Sequence, residues 1–313
     1  SPEKIKKLHE DSKSPEFIKD VVGSFVPQVY GNKNIKLSIL CMMAGGVEGQ
    51  KRADINILLA GDPSMAKSVL LVEADKITHK SMYTSGRGAS AAGLTIGMIK
   101  TSDGRMLAMA GVLPLMSGGI AYIDEFDKMN KDDRSAIHPA MEQQKVTIAK
   151  AGTTLTLPAK TAILAAANPK FGKFDSSQTI TDNIDIPPPL LSRFDLIWVI
   201  KDEINLAEDL AKANHVLDTF ENNNKKIIRK YTGKELTEYI NYVKTLKPKL
   251  SPTIRKKIIS YYERLRELAR KDDVVVGIRQ LEALVRLSTA YAKLTLRDVV
   301  DDVCVDSIKD MLD

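Results

Sequence analysis

A chain of 313 residues can bury one large or two medium cores, and 43 % apolar with 27 % charged residues is the make-up of an ordinary soluble globular protein. Two distant cysteines, Cys41 and Cys304, and four scattered histidines give no zinc-ligand spacing, and no apolar run is long enough to span a bilayer. The net charge of +6 admits a nucleic-acid partner, but the excess is spread along the chain and is equally suited to a plain basic surface.

The polar stretch Ser1 to Lys13 has no apolar signal segment, so an intracellular, cytoplasmic protein in a reducing compartment is expected. Pro2 and Pro15 are candidate helix starts within a lead-in over residues 1–22. From Ile35 to Met43 apolar residues recur at helical spacing, and Gly45-Gly46 stop that helix.

Next comes the most informative stretch. Strand-forming residues 55–60 run into Gly61-Asp62-Pro63-Ser64-Met65-Ala66-Lys67-Ser68, and a helical stretch follows to about Thr78. A strand, loop and helix of this wording can wrap a triphosphate. Backbone N–H groups and the positive helix end face the anions, Lys67 reaches the β- and γ-phosphates, and the Ser68 hydroxyl ligates Mg²⁺. Ala66 stands where a second glycine is usual, and Ser64-Met65 replace smaller residues.

Further strand signals lie near 81–84, at 119–123, 161–167 and 194–200, so a five-stranded parallel sheet between helices is expected, an α/β fold. The strand ending Ile123-Asp124-Glu125 puts two acids where open parallel sheets bind ligands, Asp124 for Mg²⁺ and Glu125 to polarise an attacking water. The strand ending in Asn168-Pro169 offers Asn168 to the lytic water or the γ-phosphate, although Asn-Pro also reads as a turn. Arg193, in Leu191-Ser192-Arg193-Phe194-Asp195, is open to two readings: an arginine finger, or a surface partner of Asp195. Alternation over Val146 to Leu157, with Gly152 at the turn, predicts a β-hairpin carrying Lys150 near its tip. Pro139 falls inside an expected helix and should kink it, which leaves the placement of Gln143 open. After Asp202 the spacing is helical to the end, broken at Asn222 to Lys226 and at Lys247 to Pro252.

Together, Tyr83-Thr84-Ser85-Gly86-Arg87-Gly88-Ala89-Ser90-Ala91-Ala92-Gly93-Leu94, the Asp124-Glu125-Phe126-Asp127-Lys128-Met129 run, the Ser192-Arg193-Phe194-Asp195 run and the phosphate loop resemble the AAA+ motor of the minichromosome-maintenance (MCM) replicative helicases. Ala66 is usual in that family, and the compact loops suggest an archaeal type. The resemblance implies a P-loop NTPase at 1–202 with a helix-2 insert at about 97–111 and a presensor-1 hairpin at about 145–158, then an all-helical lid at 203–313. It implies an ATP- and Mg²⁺-dependent DNA helicase working as a homohexameric ring on single-stranded and forked DNA, with other replication proteins as partners and no membrane. Residues Gly61 to Ser68, Asp124, Glu125 and Asn168 would act within one subunit. Arg193, Arg279 and Gln143 would act on the neighbour's nucleotide. Arg279 could equally pair with Glu282. Tyr30, in Ser24 to Gly31, would border the adenine, or its segment is plain core. Lys150, Lys100 and Arg105 would touch DNA, whereas Met98, Met106 and Met109 are expected to be packing residues. The family's zinc-bearing N-terminal domain and its winged helix have no counterpart here, so a motor portion is expected. The rival readings are a chelatase-like remodeller of proteins and an ATP-gated DNA clamp.

Overall fold

The computed structural model describes residues 2–47, 52–150, 153–202, 205–221, 229–271 and 277–312. The expected break at Asn222 to Lys226 lies outside them. In chain order the elements begin with helices α1 (Pro2–Asp11), α2 (Phe17–Ser24) and α3 (Lys33–Ala44), then strand β1 (Ile57–Gly61), α4 (Lys67–Ile77), β2 (Ser81–Ser85) and the short α5 (Ala91–Leu94). They continue with β3 (Ile96–Lys100), β4 (Met106–Ala110), α6 (Val112–Leu115), β5 (Ile120–Asp124), α7 (Lys131–Gln143), β6 (Lys145–Lys150), β7 (Thr153–Pro158) and β8 (Ala162–Ala167). After α8 (Ile180–Asn183), α9 (Pro188–Leu191) and β9 (Leu196–Ile200) come α10 (Leu206–Glu221), α11 (Gly233–Thr245), β10 (Lys249–Leu250), α12 (Ile254–Lys271), α13 (Ile278–Leu294), β11 (Val299–Val300) and α14 (Asp302–Leu312).

Packing divides the chain into two compact units, Asn56–Asp202 and Ser1–Ile55 with Glu203–Asp313. The first unit holds a five-stranded sheet in the order β2-β5-β8-β1-β9, every pairing parallel. Its three inner strands, β5, β8 and β1, are buried at every position and read as continuous apolar runs, the pattern of a sheet covered on both faces. Asn56 sets the starting register. Its side-chain oxygen accepts the amide of Ile163 at 2.9 Å, and its own amide donates to the Asp195 carboxylate at 2.8 Å. A buried polar residue is tolerated there because both groups are satisfied. The core behind the sheet gathers Leu58, Ile123, Ile137 and Ile163, with the Phe126 and Phe194 rings edge to face at 6.0 Å.

Two antiparallel hairpins leave this unit, β3–β4 and β6–β7. Helix α7 runs through Pro139 as one assigned helix to Gln143, where Gln144 turns into the left-handed region at φ 56°.

The second unit is centred on α3, packed by α11, α13 and α14, with Ile39, Leu40, Met43, Leu284 and Leu287 buried. Gly45, at φ 68°, closes α3, and the Lys293 ammonium donates to the Gly46 carbonyl at 2.6 Å just beyond it, a cation at a helix C-terminus. The first 55 residues thus pack with the C-terminal helices, a grouping that the expected division after residue 202 did not contain. The C-terminal region is also not purely helical: β10 and β11 form a two-residue parallel ladder, Lys249 opposite Val299.

Candidate nucleotide site

In the sheet unit, β1, β5 and β8 run parallel, so Gly61, Asp124 and Ala167 end on the same edge of the sheet. The loop leaving β1 is bent by two left-handed residues, Ser64 at φ 66° and Ala66 at φ 59°. This is why a glycine is usual at position 66. Alanine fits the space but takes a backbone region that costs an L-residue about 1–2 kcal/mol. Gly61 is fixed for another reason: a Cβ there would collide with the Ile200 carbonyl of β9.

Lys67 opens α4 and is buried, its ammonium donating to the carbonyls of Gly61 at 2.8 Å and Asp62 at 2.6 Å. Burial pulls this ammonium below its usual pKa range, while the nearby carboxylates of Asp124, Asp62 and Asp127 act the other way. The sequence placed Asp62 among the nucleotide contacts. Its buried carboxylate accepts the amides of Phe174 at 2.6 Å and Asp202 at 2.9 Å, tying the phosphate loop to two later segments. Pro63 and Ser64 are exposed, Met65 is half-buried, and Ser68 is exposed on the first turn of α4.

The two acids at the end of β5, Asp124 and Glu125, are held from β2, the edge strand beside it. Tyr83 donates its hydroxyl to Asp124 Oδ2 at 3.0 Å, and the Glu125 amide donates to Asp124 Oδ1 at 2.8 Å. Ser85 donates to Glu125 Oε2 at 2.9 Å, and Arg87 Nε lies 3.1 Å from Glu125 Oε1. Glu125 itself sits at φ 49°, a strained region for glutamate of the kind that gathers at functional sites. Gly86 must be glycine, since a Cβ there would strike the Glu125 carbonyl. Burial, with the hydrogen bond and charge of Asp124, pushes the Tyr83 phenol up to about 12. Asp127, the third acid of the run, accepts the backbone amide of Asn168 at 3.0 Å and joins the ends of β5 and β8.

Arg193 follows α9 and pairs with Glu142 at 2.8 Å, not with Asp195, whose carboxylate takes the Asn56 amide. The Arg193 side chain is mostly buried, and its Nε has no hydrogen-bond partner among the described residues. Gln143, the next residue after Glu142, is exposed at the end of α7. Burial, and secondarily the Arg193 charge, hold His138 on the same helix below its usual range.

On β3–β4, Lys100 and Arg105 are exposed near the Gly104 turn, Arg105 beside Asp103 at 3.4 Å. Met106 and Met109 are exposed as well, against the expectation that they pack; only Met98 is half-buried. Facing residues Ile99 and Leu107 are also about half exposed, so this hairpin turns an apolar face outward. The backbone places Lys150 at the end of β6 opposite Thr153, while the tip, Ala151 and Gly152, lies outside the described residues, as does the surrounding of the Lys150 side chain.

Tyr30 and Arg279 belong to the helical unit. Tyr30 is exposed and lines a cavity of about 490 Å³ with Pro27, Val29, Lys36 and His215, its ring 5.7 Å from the His215 ring. Phe25, from the same segment, is core. Arg279 is exposed on the first turn of α13, and Glu282 lies 4.0 Å from Arg286.

Comparison with known proteins accounts for this arrangement. The family model of the MCM P-loop domain matches residues 3–220, and that of the MCM AAA-lid domain matches residues 234–313. The chain belongs to the MCM family. It is 42 % identical over 313 residues to the DNA replication licensing factor MCM6 of Arabidopsis thaliana, covering 95 % of this chain and 37 % of that protein. It is 39 % identical over 307 residues to the minichromosome maintenance protein MCM of Saccharolobus solfataricus, covering 95 % and 44 %. DNA replication licensing factor mcm7-B of Xenopus laevis is 38 % identical over 311 residues, covering 96 % and 43 %. The chain therefore spans less than half the length of these curated relatives. With plant, animal and archaeal members at like identity, the comparison does not favour the archaeal type expected from the loops.

Proposed function

We propose that this MCM chain is the ATP-hydrolysing motor of a ring-shaped replicative DNA helicase, with residues 1–202 as the nucleotide-binding part and 203–313 as the lid. The observation that carries the reading is the meeting, at one edge of the sheet, of a phosphate loop bent by two left-handed residues, the buried Lys67, and the restrained carboxylates of Asp124 and Glu125. ATP would lie along Gly61 to Ser68, with Lys67 on its β- and γ-phosphates. Glu125 would orient the attacking water and Asn168 the γ-phosphate side.

The donors present suit Mg²⁺. A hydroxyl at the helix start, Ser68, and one carboxylate, Asp124, are the hard oxygen ligands with which this ion is held jointly with substrate phosphates, and no group of three or more His, Cys, Asp or Glu among the described residues forms an all-protein cage. Bound there, the ion would neutralise charge on the β- and γ-phosphates.

Arg193, Gln143 and Arg279 would reach the nucleotide of the adjoining subunit, so each site is completed by two protomers. The mostly buried Arg193, paired with Glu142 and with no partner for its Nε among the described residues, supports a group held ready for a further acceptor. Interactions that form with ATP and break on hydrolysis would shift the two hairpins, and with them Lys150, Lys100 and Arg105, along single-stranded or forked DNA. Other replication proteins would assemble on the ring, which places the work in the nucleus or nucleoid.

The deciding experiment mixes protomers carrying Arg193→Ala with protomers carrying Lys67→Ala and measures DNA-stimulated phosphate release. Mixed rings should regain turnover at the junctions that unite two intact halves. No regained turnover, or equal turnover by lone monomers, would sink the shared site. Hydrolysis indifferent to single-stranded DNA would favour a protein remodeller, and DNA retention without hydrolysis a clamp.

A further inference from the structure

We infer that Tyr83 is a positioning residue for the metal-facing carboxylate, fixing the plane of Asp124 so that its remaining lone pairs face the phosphate loop. This rests on the ATPase reading above and goes beyond it by adding a residue outside the nucleotide-binding loop. The torsion that rotates a carboxylate is soft and roughly two-fold, so an aspartate at a strand end does not hold a metal ligand's orientation unaided. Asp124 has one donor on each oxygen: the Tyr83 hydroxyl on Oδ2 at 3.0 Å and the Glu125 amide on Oδ1 at 2.8 Å. A carboxylate offers about four acceptor positions, so two remain after these bonds are made.

Tyr83 is free for this work. It lies on the edge strand β2 and is 37 % exposed, so its hydroxyl is not required to satisfy a buried core. Its partner in the ladder, Tyr122, is fully buried and shares its hydrogen bond with Thr78 Oγ1 at 2.7 Å. Two tyrosines paired in one register thus serve different ends, one the packing of the sheet and the other the acid beyond it. Ser85, two residues on and on the same face of β2, does for Glu125 what Tyr83 does for Asp124.

The test uses the full chain loaded with ATPγS and reads Mn²⁺ binding by electron paramagnetic resonance, beside the affinity for a fluorescent ATP in EDTA. Tyr83→Phe should weaken Mn²⁺ binding about ten-fold, the cost usual for removing an outer partner of a metal ligand. Its metal-free nucleotide affinity and urea midpoint should stay as in the unaltered chain. In an Asp124→Asn background the same substitution should add nothing further, because the two residues act as one unit. Unchanged Mn²⁺ binding by Tyr83→Phe would overturn the assignment and leave the ATPase reading standing. So would a ten-fold loss that persists on top of Asp124→Asn. If the unaltered chain binds no Mn²⁺ with nucleotide, both fall.

Discussion

Where β1, β5 and β8 end, polar side chains are spent on one another and on the backbone, whereas on β4 of the β3–β4 hairpin the side chains from Met106 to Met109 are exposed. At the sheet edge Lys67, Asp62 and Asp127 are buried, and each makes at least one bond that joins segments distant in sequence or closes the phosphate loop on itself. On the hairpin, Met106, Leu107 and Met109 are exposed, and the Arg105–Asp103 contact is a solvent-exposed pair of the sort worth little. The hairpin β6–β7 falls between the two: Val146 is buried and Ile148, Leu155 and Leu157 pack against the core, but Thr147 and Thr156 pair at the surface. A substitution at the sheet edge should therefore disturb folding and chemistry together. A substitution on the hairpins should disturb only what they touch.

The sharpest break between the regions should come from Lys67→Ala. Phosphate release should fall by about 100-fold or more, since the charge that meets the developing γ-phosphate negativity is gone. Retention of near-normal turnover would remove the phosphate loop from the mechanism. On the hairpin side, Lys150→Ala should keep ATP hydrolysis while a full-length form of the protein loses unwinding of forked DNA. Normal unwinding would end the assignment of that hairpin to DNA.

Next in size is Asp62→Ala, which should cost about 3 kcal/mol in urea denaturation, because it strands the buried amide of Phe174 and releases that of Asp202. Asp62→Asn, which keeps an acceptor oxygen, should recover part of this. If Asp62→Ala unfolds at the midpoint of the unaltered chain, the loop is not anchored as described. By contrast, Met106→Ser and Met109→Ser should each shift stability by less than about 0.5 kcal/mol, as surface changes do. A larger loss from either would mean that the outward face of β3–β4 is covered in solution.

The same contrast explains what was legible in the sequence. The five strands, the phosphate loop, both acids at the end of β5 and the β6–β7 hairpin rest on local patterns, whether a short continuous apolar run, period-two alternation or a fixed motif, and such patterns survive without knowledge of the fold. The clamp made by Asp62 joins residues 112 and 140 positions apart, and Tyr83 reaches an acid 41 positions later, so both needed the strand order to be seen. Period-two spacing of Tyr83 and Ser85 was the available signal, but it could not say which strand lay alongside. Arg193 was set against its near neighbour Asp195, but Glu142, 51 residues earlier, stands closer in space. Met106 and Met109 were assigned to packing by hydrophobicity alone, which cannot distinguish a core face from an outward one on a two-stranded ladder. Nor does helical spacing reveal that α3 is wrapped by helices from the far end of the chain.

A small effect of the opposite sign belongs to Ala66→Gly, and it probes the loop without touching its chemistry. Ala66 sits at φ 59°, where an L-residue pays about 1–2 kcal/mol that glycine does not. Glycine also loosens the unfolded chain, which takes back about 0.4–1 kcal/mol. The balance is a gain of less than about 1.6 kcal/mol, visible as a small rise in the urea midpoint with the slope unchanged. Because position 66 lends backbone and not side chain, nucleotide affinity should stay level while stability rises. A fall in stability would mean that the residue does not hold its left-handed turn in solution, and the cradle of amides that the turn creates would lose its basis.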